Sequence, residues 1–284
     1  MIKLANDGLK VELCRPGEYY QGTRFDRAGI FRRITKDGYV FADEWFPHQD
    51  PLRHDRVCGL SEEFVTVDWT DVPVGGVFCK PGVGLLRRPD AEPYDRFRLY
   101  EIADPGSWEV HVGKEEAVYR HVLSGWYRYI KRIMLLDGSR LKIVHALDWD
   151  APVPLKGYFY NHNFLTFNGT PVGPSRRLRF PWQPCGDWRH DYDNAGFVED
   201  GVAFTGPVDP SNAVFCGNLH NAQGPSICKF TVADGDRSVT VDGDRLLDHI
   251  VLWSNDRVAC LEPYMTLHLT PGSFSSWTFR YWFR

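Results

Sequence analysis

Hydrophobic and polar residues alternate along several stretches of this chain. The pattern is clearest over 141–148 and 277–283, and a third run, 158–164, is rich in aromatic residues. Successive side chains of a β-strand point to opposite faces of a sheet, so a period of two with aromatic and β-branched residues indicates strands. We therefore predict a β-strand over each of these three runs.

Turn signals separate the runs, and few stretches favour a helix. Asx-Gly pairs tolerate the positive φ angles of tight hairpin turns, so each is predicted to join antiparallel neighbours. The pairs are Asp37-Gly38, Asp137-Gly138, Asn168-Gly169 and Asp242-Gly243. The 26 glycines and 19 prolines interrupt most segments long enough for a helix. Residues 176–194 fit no strand and are predicted to form a long surface loop.

These patterns predict an all-β protein in which two large antiparallel sheets pack face to face. No repeat or linker divides the chain, so we expect one domain over 1–284. Composition excludes several classes. Aromatic residues make up 14% of the chain and the net charge is only −4, which excludes disorder and disfavours a nucleic-acid partner. The chain contains no run of 18 apolar residues, so we expect no transmembrane helix and no membrane partner.

The first residues and the cysteines favour a reducing compartment. Polar residues interrupt the N-terminus before a signal-peptide core could form, so we expect a cytoplasmic protein. The seven cysteines are scattered, without a C-x-x-C pair, and are expected to be structural thiols. Phosphate-loop, dinucleotide and hydrolase-elbow motifs are absent, so no cofactor is expected. The acidic and histidine residues of 187–193 match no metal-loop spacing, and no metal site is expected.

Two short segments contain the best candidates for chemistry. His162 lies between two asparagines in an aromatic run, where hydrogen bonds could fix its tautomer, although a core histidine would have the same surroundings. Glu262 follows the apolar run 258–261, and burial would raise the pKa of its carboxyl group and suit it to general-base work. An ion pair with an arginine is the alternative role for Glu262.

Taken together, these segments resemble the aldose 1-epimerase (galactose mutarotase-like) superfamily. The resemblance rests on an Asn-His-x-aromatic segment at 161–164 and on Cys-Leu-Glu-Pro at 260–263. The Pro-Gly turn at 271–272 with the final aromatic strand, and the opening strands over 2–34, are also similar. The resemblance implies a large antiparallel β-sandwich, the galactose mutarotase-like supersandwich, whose concave face binds a sugar without a cofactor.

The resemblance also implies roles for individual residues. Glu262 would take the proton of the anomeric hydroxyl, and His162 would protonate the ring oxygen so that the ring opens. Aromatic side chains would stack on the sugar, and charged or polar side chains would bind its hydroxyls. The implied substrate-binding residues are Arg24, His54, Glu63, Asn161, Trp182, His220 and Tyr264.

The chain departs from the family pattern in one place that bears on function. The family's His-Gly-Gly segment is replaced by the run 54–64, so either His54 takes the place of the second histidine or nothing does. Three hypotheses therefore stay open. The leading one is a carbohydrate-directed isomerase that interconverts anomers of a small-molecule sugar. The others are a lyase or isomerase for a sugar derivative, and a carbohydrate-binding protein without catalysis.

Overall fold

The computed structural model of the protein describes residues 1–66 and 69–284. These residues form 23 β-strands and one short 3-10 helix, Phe167–Gly169. In the described part of the chain, no helix combines the length and the apolar character that crossing a membrane requires. The prediction of an all-β protein is confirmed.

The strands are numbered in chain order. The first twelve are β1 (Ile2–Ala5), β2 (Lys10–Leu13), β3 (Phe31–Lys36), β4 (Tyr39–Ala42), β5 (Gly59–Phe64), β6 (Val77–Lys80), β7 (Gly84–Arg87), β8 (Ile102–Asp104), β9 (Ser107–Val112), β10 (Glu116–Leu123), β11 (Tyr127–Leu136) and β12 (Arg140–Trp149). The remaining strands are β13 (Leu155–Phe164), β14 (Arg176–Arg179), β15 (Pro184–Trp188), β16 (Ala195–Val198), β17 (Gly201–Phe204), β18 (Val214–Asn221), β19 (Ser226–Asp234), β20 (Arg237–Leu247), β21 (His249–Ser254), β22 (Ala259–Leu269) and β23 (Ser273–Phe283).

Two large antiparallel sheets dominate the fold. The ten-stranded sheet has the order β16-β17-β14-β19-β20-β23-β12-β11-β10-β9, and the six-stranded sheet has the order β15-β18-β21-β22-β13-β5. Two smaller sheets flank them, one of β1 to β4 and one of β6 to β8. Most neighbours in the large sheets are remote along the chain, so long-range pairing builds the candidate site.

The two large sheets pack face to face through aromatic side chains. Phe159 of β13 packs against Trp277 of β23 with ring centroids 4.8 Å apart. Phe64 of β5 meets Tyr129 of β11 in an edge-to-face contact at 5.3 Å. Such contacts bury apolar area, and the preferred orientations of aromatic rings also fix how the two sheets pack. The predicted face-to-face arrangement is therefore confirmed.

The burial pattern along a strand shows which faces are covered. β12 alternates between buried and more exposed residues, as expected for a strand with one face on the core. By contrast, 159–164 of β13 and all six residues of β5 are buried. These strands bury one face against the ten-stranded sheet, and connecting segments cover the other. The doubly covered part of the six-stranded sheet contains the candidate site.

Gly59, at the start of β5, lies so close to Phe31 that only glycine fits at this position. Its φ is +57°, and a Cβ atom there would lie 2.7 Å from the Cβ of Phe31. A side chain at this position would therefore meet both backbone strain and a steric clash.

The structure confirms the strands predicted over 141–148, 158–164 and 277–283. The turns at Asp37-Gly38 and Asp137-Gly138 join β3 to β4 and β11 to β12, as predicted.

Three local predictions are wrong. Asn168-Gly169 lies in the 3-10 helix between strands of different sheets. Asp242-Gly243 lies within β20, next to a β-bulge in its pairing with β19. The supposed loop 176–194 contains β14 and β15. Short strands of four or five residues show too few alternations to be recognised from sequence.

Candidate active site

His162 and Glu262 come together on neighbouring strands of the six-stranded sheet. The β13–β22 pairing runs from Leu155 opposite Leu269 to Tyr160 opposite Tyr264. His162 and Glu262 each lie two residues beyond that last pair. Because side chains alternate along a strand, both project to the same face as Tyr160 and Tyr264. Nδ1 of His162 lies 3.0 Å from Oε1 of Glu262, with side-chain exposures of 2% and 10%. The two candidate catalytic residues are thus in direct contact.

A cavity of about 600 Å³ opens above this pair. Its volume is in the range usual for small-molecule sites. The cavity is lined by Arg24, Phe25, Trp45, His54, Asp55, Arg96, Phe97, Tyr158, His162, Phe164, Arg189, Phe215, His249, Val251, Trp253, Glu262 and Tyr264. Strands β13, β21 and β22 supply most of the floor, and connecting segments supply the walls.

Glu63 lies beneath the pair as a buried ionic anchor. Nε of Arg24 donates to its Oε2 at 2.7 Å, and Nζ of Lys80 donates to its Oε1 at 3.3 Å. Burial alone would raise the pKa of Glu63, but Arg24 and then Lys80 outweigh burial and hold that pKa well below its usual value. Burial also lowers the pKa of Lys80 to about 8 against the opposing effect of Glu63. Glu63 is therefore a fixed negative charge under the site.

The two ring nitrogens of His162 have unequal surroundings. Nδ1 faces Glu262 at hydrogen-bonding distance, whereas Nε2 lies 3.6 Å from Oε2 of Glu63, too far for a hydrogen bond. Among the described residues, Nε2 has no hydrogen-bond partner. The 3.0 Å separation of Nδ1 and Oε1 is an ion-pair distance, and a carboxylate can only accept a proton from such a nitrogen. His162 can therefore serve as the proton donor and Glu262 as the proton acceptor of this pair.

Stacked rings border the pair on one side. Tyr160 and Tyr264 stack with centroids 3.9 Å apart, and His249 stacks on the other face of this group at 4.4 Å from Tyr264. The hydroxyl of Tyr264 donates to Oε2 of Glu262 over 3.4 Å. Arg96 donates to the Tyr160 hydroxyl at 2.7 Å. Burial raises the pKa of Tyr264, so its hydroxyl stays protonated at neutral pH.

The structure brings three more of the predicted residues to the cavity wall: Arg24, His54 and Tyr264. The ring of His54 packs on Phe97 with centroids 4.8 Å apart. Burial lowers the pKa of His54, which favours its neutral form. Glu63, predicted to contact substrate, is instead covered by its ionic partners and does not line the cavity.

Asn161 faces away from the cavity. As the residue next to His162 on β13, it points to the opposite side of the sheet, where its amide donates to the Tyr281 hydroxyl at 3.3 Å. The expectation that Asn161 binds substrate is therefore corrected: this side chain lies between the two large sheets.

Trp182 and His220 also lie away from the cavity. Trp182 stacks on Phe180 at 4.5 Å, and its indole N–H donates to the carbonyl of Ile227 in the ten-stranded sheet. His220 lies past a bulge near the end of β18, with Nε2 3.2 Å from the sulfur of Cys185. Neither side chain lines the cavity, so their predicted contact with substrate is corrected as well.

Sequence reasoning missed several cavity residues. Trp253 shares one face of β21 with His249 and Val251, and this alternation just before the Cys260 segment could have revealed it. Trp45 and Arg96 come from connecting segments without periodicity, so no pattern along the chain marked them.

A second charged cluster lies on the opposite side of β5. Glu62 pairs with Nζ of Lys131, and its Oε1 lies 3.5 Å from Nε2 of His145. Burial raises the pKa of Glu62 to about 7 and that of nearby Asp26 to about 6, although Lys131 opposes both shifts. Tyr129 joins the cluster by donating to Asp26 at 2.9 Å. We call this set the inter-sheet cluster, because it lies between the two large sheets.

This chain is similar to known proteins in its three-dimensional structure, whereas comparisons of its sequence find no match. No family model and no curated protein matches the chain. A galactose mutarotase-like protein from Lactobacillus casei superposes with a TM-score of 0.59 at 12% identity, over 100% of both chains. A GalM/aldose epimerase homologue from C. elegans gives 0.59 at 12% identity, covering 100% of this chain and 98% of its own. A galactose mutarotase-like protein from Clostridium acetobutylicum gives 0.58 at 12% identity, covering 99% and 94%.

These alignments extend over the whole β-sandwich, including the strands that hold His162 and Glu262. At such identities the likeness concerns the backbone architecture. The chain therefore has the galactose mutarotase-like fold, as a sequence-divergent example of it.

Proposed function

We propose that this protein is an isomerase that interconverts the anomers of an aldose or aldose derivative, with Glu262 as general base and His162 as general acid. The observation that carries the proposal is the direct contact of an imidazole and a carboxyl group at the cavity floor, with Nδ1 of His162 3.0 Å from Oε1 of Glu262. The fold shared with mutarotase-like and aldose epimerase-like structures supports the same substrate class.

A cyclic aldose matches this pair in hydrogen-bonding character. Its anomeric hydroxyl is a donor and its ring oxygen an acceptor, and both oxygens are bonded to the anomeric carbon. A sugar could therefore bind this pair through two hydrogen bonds: the hydroxyl donates to Glu262, and the ring oxygen accepts from His162. An acid and a base for this reaction need only be neighbours, because the atoms they serve are neighbours.

The reaction then requires two proton transfers and no other reagent. Glu262 removes the proton of the anomeric hydroxyl while His162, in its imidazolium form, protonates the ring oxygen and becomes a neutral imidazole, and the bond between the anomeric carbon and the ring oxygen breaks. Rotation about the C1–C2 bond of the open aldehyde and reversal of the steps give the other anomer. Ring closure returns the Glu262 proton to the anomeric oxygen and the ring-oxygen proton to His162, so both groups end in their starting protonation states. Each group typically contributes about 10²- to 10⁴-fold to such a rate.

The cavity walls suit a polyhydroxylated ring. Trp45, Trp253 and Phe164 present apolar faces at one end, onto which the C–H face of a pyranose can pack. Arg24 and Arg96 present guanidinium groups that can donate to hydroxyls. Glu63 holds Arg24 in place from below. The aromatic contact predicted for Trp182 is thus assigned to Trp45 and Trp253.

The test is saturation-transfer NMR of anomer exchange with a panel of neutral and charged aldoses. Glu262→Gln and His162→Asn should each lower the exchange rate by about 10²- to 10⁴-fold. His268→Asn, an exposed histidine on β22 outside the cavity, serves as the matched control and should leave the rate unchanged.

Two results would reject the proposal. Exchange that proceeds at the wild-type rate in both active-site variants would remove the assignment of Glu262 and His162. Calorimetric sugar binding with no exchange for any aldose would favour the carbohydrate-binding hypothesis, and a changed carbon skeleton would favour a lyase or another isomerase.

A further inference from the structure

Cys260 adds a third potential ligand to the His162–Glu262 pair. Cys260 and Glu262 are two residues apart on β22, so both project to the face that His162 shares. One ligand atom from each of the three residues lies within 4.8 Å of the other two, and all three residues are buried. Because β13 and β22 are remote along the chain, this grouping depends on strand pairing.

The donor set has the chemistry of a zinc site. An imidazole nitrogen, a thiolate sulfur and a carboxylate oxygen are the three ligand types that Zn²⁺ takes in proteins, usually in tetrahedral geometry. Calcium and magnesium prefer oxygen ligands and fit this set poorly. His162 and Glu262 line the cavity, so a fourth ligand can approach from that side. Three protein ligands and one open position characterise reactive zinc sites.

The surroundings of the His162 ring also suit a metal ligand. Nε2 of His162 is buried and, within the described residues, lacks a hydrogen-bond partner, yet it lies 3.6 Å from a carboxylate oxygen of Glu63. If Nδ1 binds a metal, the imidazole proton moves to Nε2 and faces Glu63, which gives the carboxylate–histidine–metal arrangement common in zinc proteins.

We propose that His162, Cys260 and Glu262 form a binding site for one Zn²⁺-class cation, and that the bound metal switches off the acid–base pair. Binding forms bonds from the metal to Nδ1, Sγ and a Glu262 oxygen. The thiol proton passes to solvent, and the imidazole proton passes to Nε2. The metal then holds the two atoms needed for proton transfer. The inhibitory consequence rests on the proposed function, whereas the metal site itself does not.

Cobalt(II) is the spectroscopic probe for this site. Titration of the full chain with Co²⁺ should produce a thiolate-to-metal charge-transfer band and tetrahedral d–d bands at one equivalent, and Zn²⁺ should abolish both by displacement. Cys260→Ala should lose the charge-transfer band and bind Zn²⁺ at least about 100-fold more weakly, since even indirect partners of a metal contribute 10- to 100-fold. Cys228→Ala, a buried cysteine on β19, is the matched control and should titrate like the wild type.

Several outcomes would overturn the site. These are a wild-type chain without a charge-transfer band at one equivalent of Co²⁺, a Cys260→Ala variant with an unchanged band, or loss of the band in the Cys228→Ala control. Cys260→Ser, which keeps the side-chain volume, should reproduce the loss if Cys260→Ala folds poorly.

Anomer exchange provides a separate readout. Zn²⁺ should slow exchange in the wild type, while in Cys260→Ala the ratio of rates with and without Zn²⁺ should stay near one. Absence of exchange in the metal-free wild type would reject the proposed function and leave the Co²⁺ titration as an independent test. Wild-type exchange unaffected by saturating Zn²⁺ would overturn the inhibition.

Discussion

Two buried carboxylates on consecutive residues of β5 have similar partners and different surroundings. Glu62 meets a lysine and a histidine between the two large sheets, and Glu63 meets a lysine, an arginine and a histidine under the cavity. The difference is access: His162 lines a cavity of about 600 Å³, whereas His145 is fully buried in the inter-sheet cluster. A set of acid–base groups becomes a candidate site only where a ligand can reach it.

The clusters also differ in charge balance. Glu63 has two cations, Arg24 and Lys80, and its pKa lies well below the usual value. In the described part of the chain, Lys131 is the only lysine or arginine paired with Glu62, whose pKa burial raises to about 7. Glu63 therefore stays ionised beneath the cavity, whereas Glu62 and Asp26 of the inter-sheet cluster bind protons as the pH falls.

The largest expected difference is between Lys131→Met and Lys80→Met. Lys131→Met leaves Glu62 and Asp26 without their cation and should reduce the free energy of unfolding by about 3–5 kcal/mol. Lys80→Met should cost less, because Arg24 still pairs with Glu63. Both lysines are equally buried, which makes the pair a matched comparison. Urea denaturation measures the two losses, and equal losses would contradict the proposed imbalance.

A smaller effect concerns pH and Asp26. Its folded pKa is raised from 3.8 to about 6, mainly by burial, so the folded protein holds a proton that the unfolded chain releases. The resulting stability is present below pH 4 and is lost as pH rises through 6. Relative to Asp26→Asn, which does not titrate, the wild type should lose about 2–3 kcal/mol between pH 4 and pH 7. Urea denaturation across this range gives the two curves, and parallel curves would argue against a raised pKa.

The smallest effects come from single hydroxyl groups. Tyr264→Phe removes a long hydrogen bond to Glu262 and should lower the exchange rate by a factor of about 2 to 10. Tyr281→Phe removes the acceptor of Asn161 between the sheets and should cost about 1 kcal/mol of stability without changing exchange. NMR exchange and urea denaturation separate these outcomes. A loss far above tenfold in Tyr264→Phe would instead indicate that Tyr264 itself transfers a proton.

Local patterns predicted the long strands because each shows several alternations. β12 and β23 are ten and eleven residues long, and their side-chain periodicity is visible without knowledge of their neighbours. β14 has four residues, and its place inside the ten-stranded sheet depends on pairing with β17 and β19. Such short strands are specified by tertiary contacts and not by their own sequence.

The candidate site was only partly predictable for the same reason. His162 and Glu262 were identified through short segments that resemble a known family, and their contact arises from the pairing of β13 with β22. The wrong expectation for Asn161 came from sequence adjacency, since neighbours on a strand face opposite sides. Arg96 and Trp45 lie in irregular segments whose positions depend on the packing of the whole chain.

The close approach of Gly59 to Phe31 has a consequence for alignment of the chain at β5. Glu62 and Glu63 are identical in chemistry, so sliding this strand by one residue would still supply a carboxylate to the cavity side, while Ser61 would replace the one between the sheets. The same shift would bring Glu63 to the place of Phe64, which packs on Tyr129 between the sheets. It would also bring Cys58 to the place of Gly59, where a Cβ atom would lie 2.7 Å from that of Phe31, so the glycine helps to hold the register that keeps each carboxylate in its own compartment.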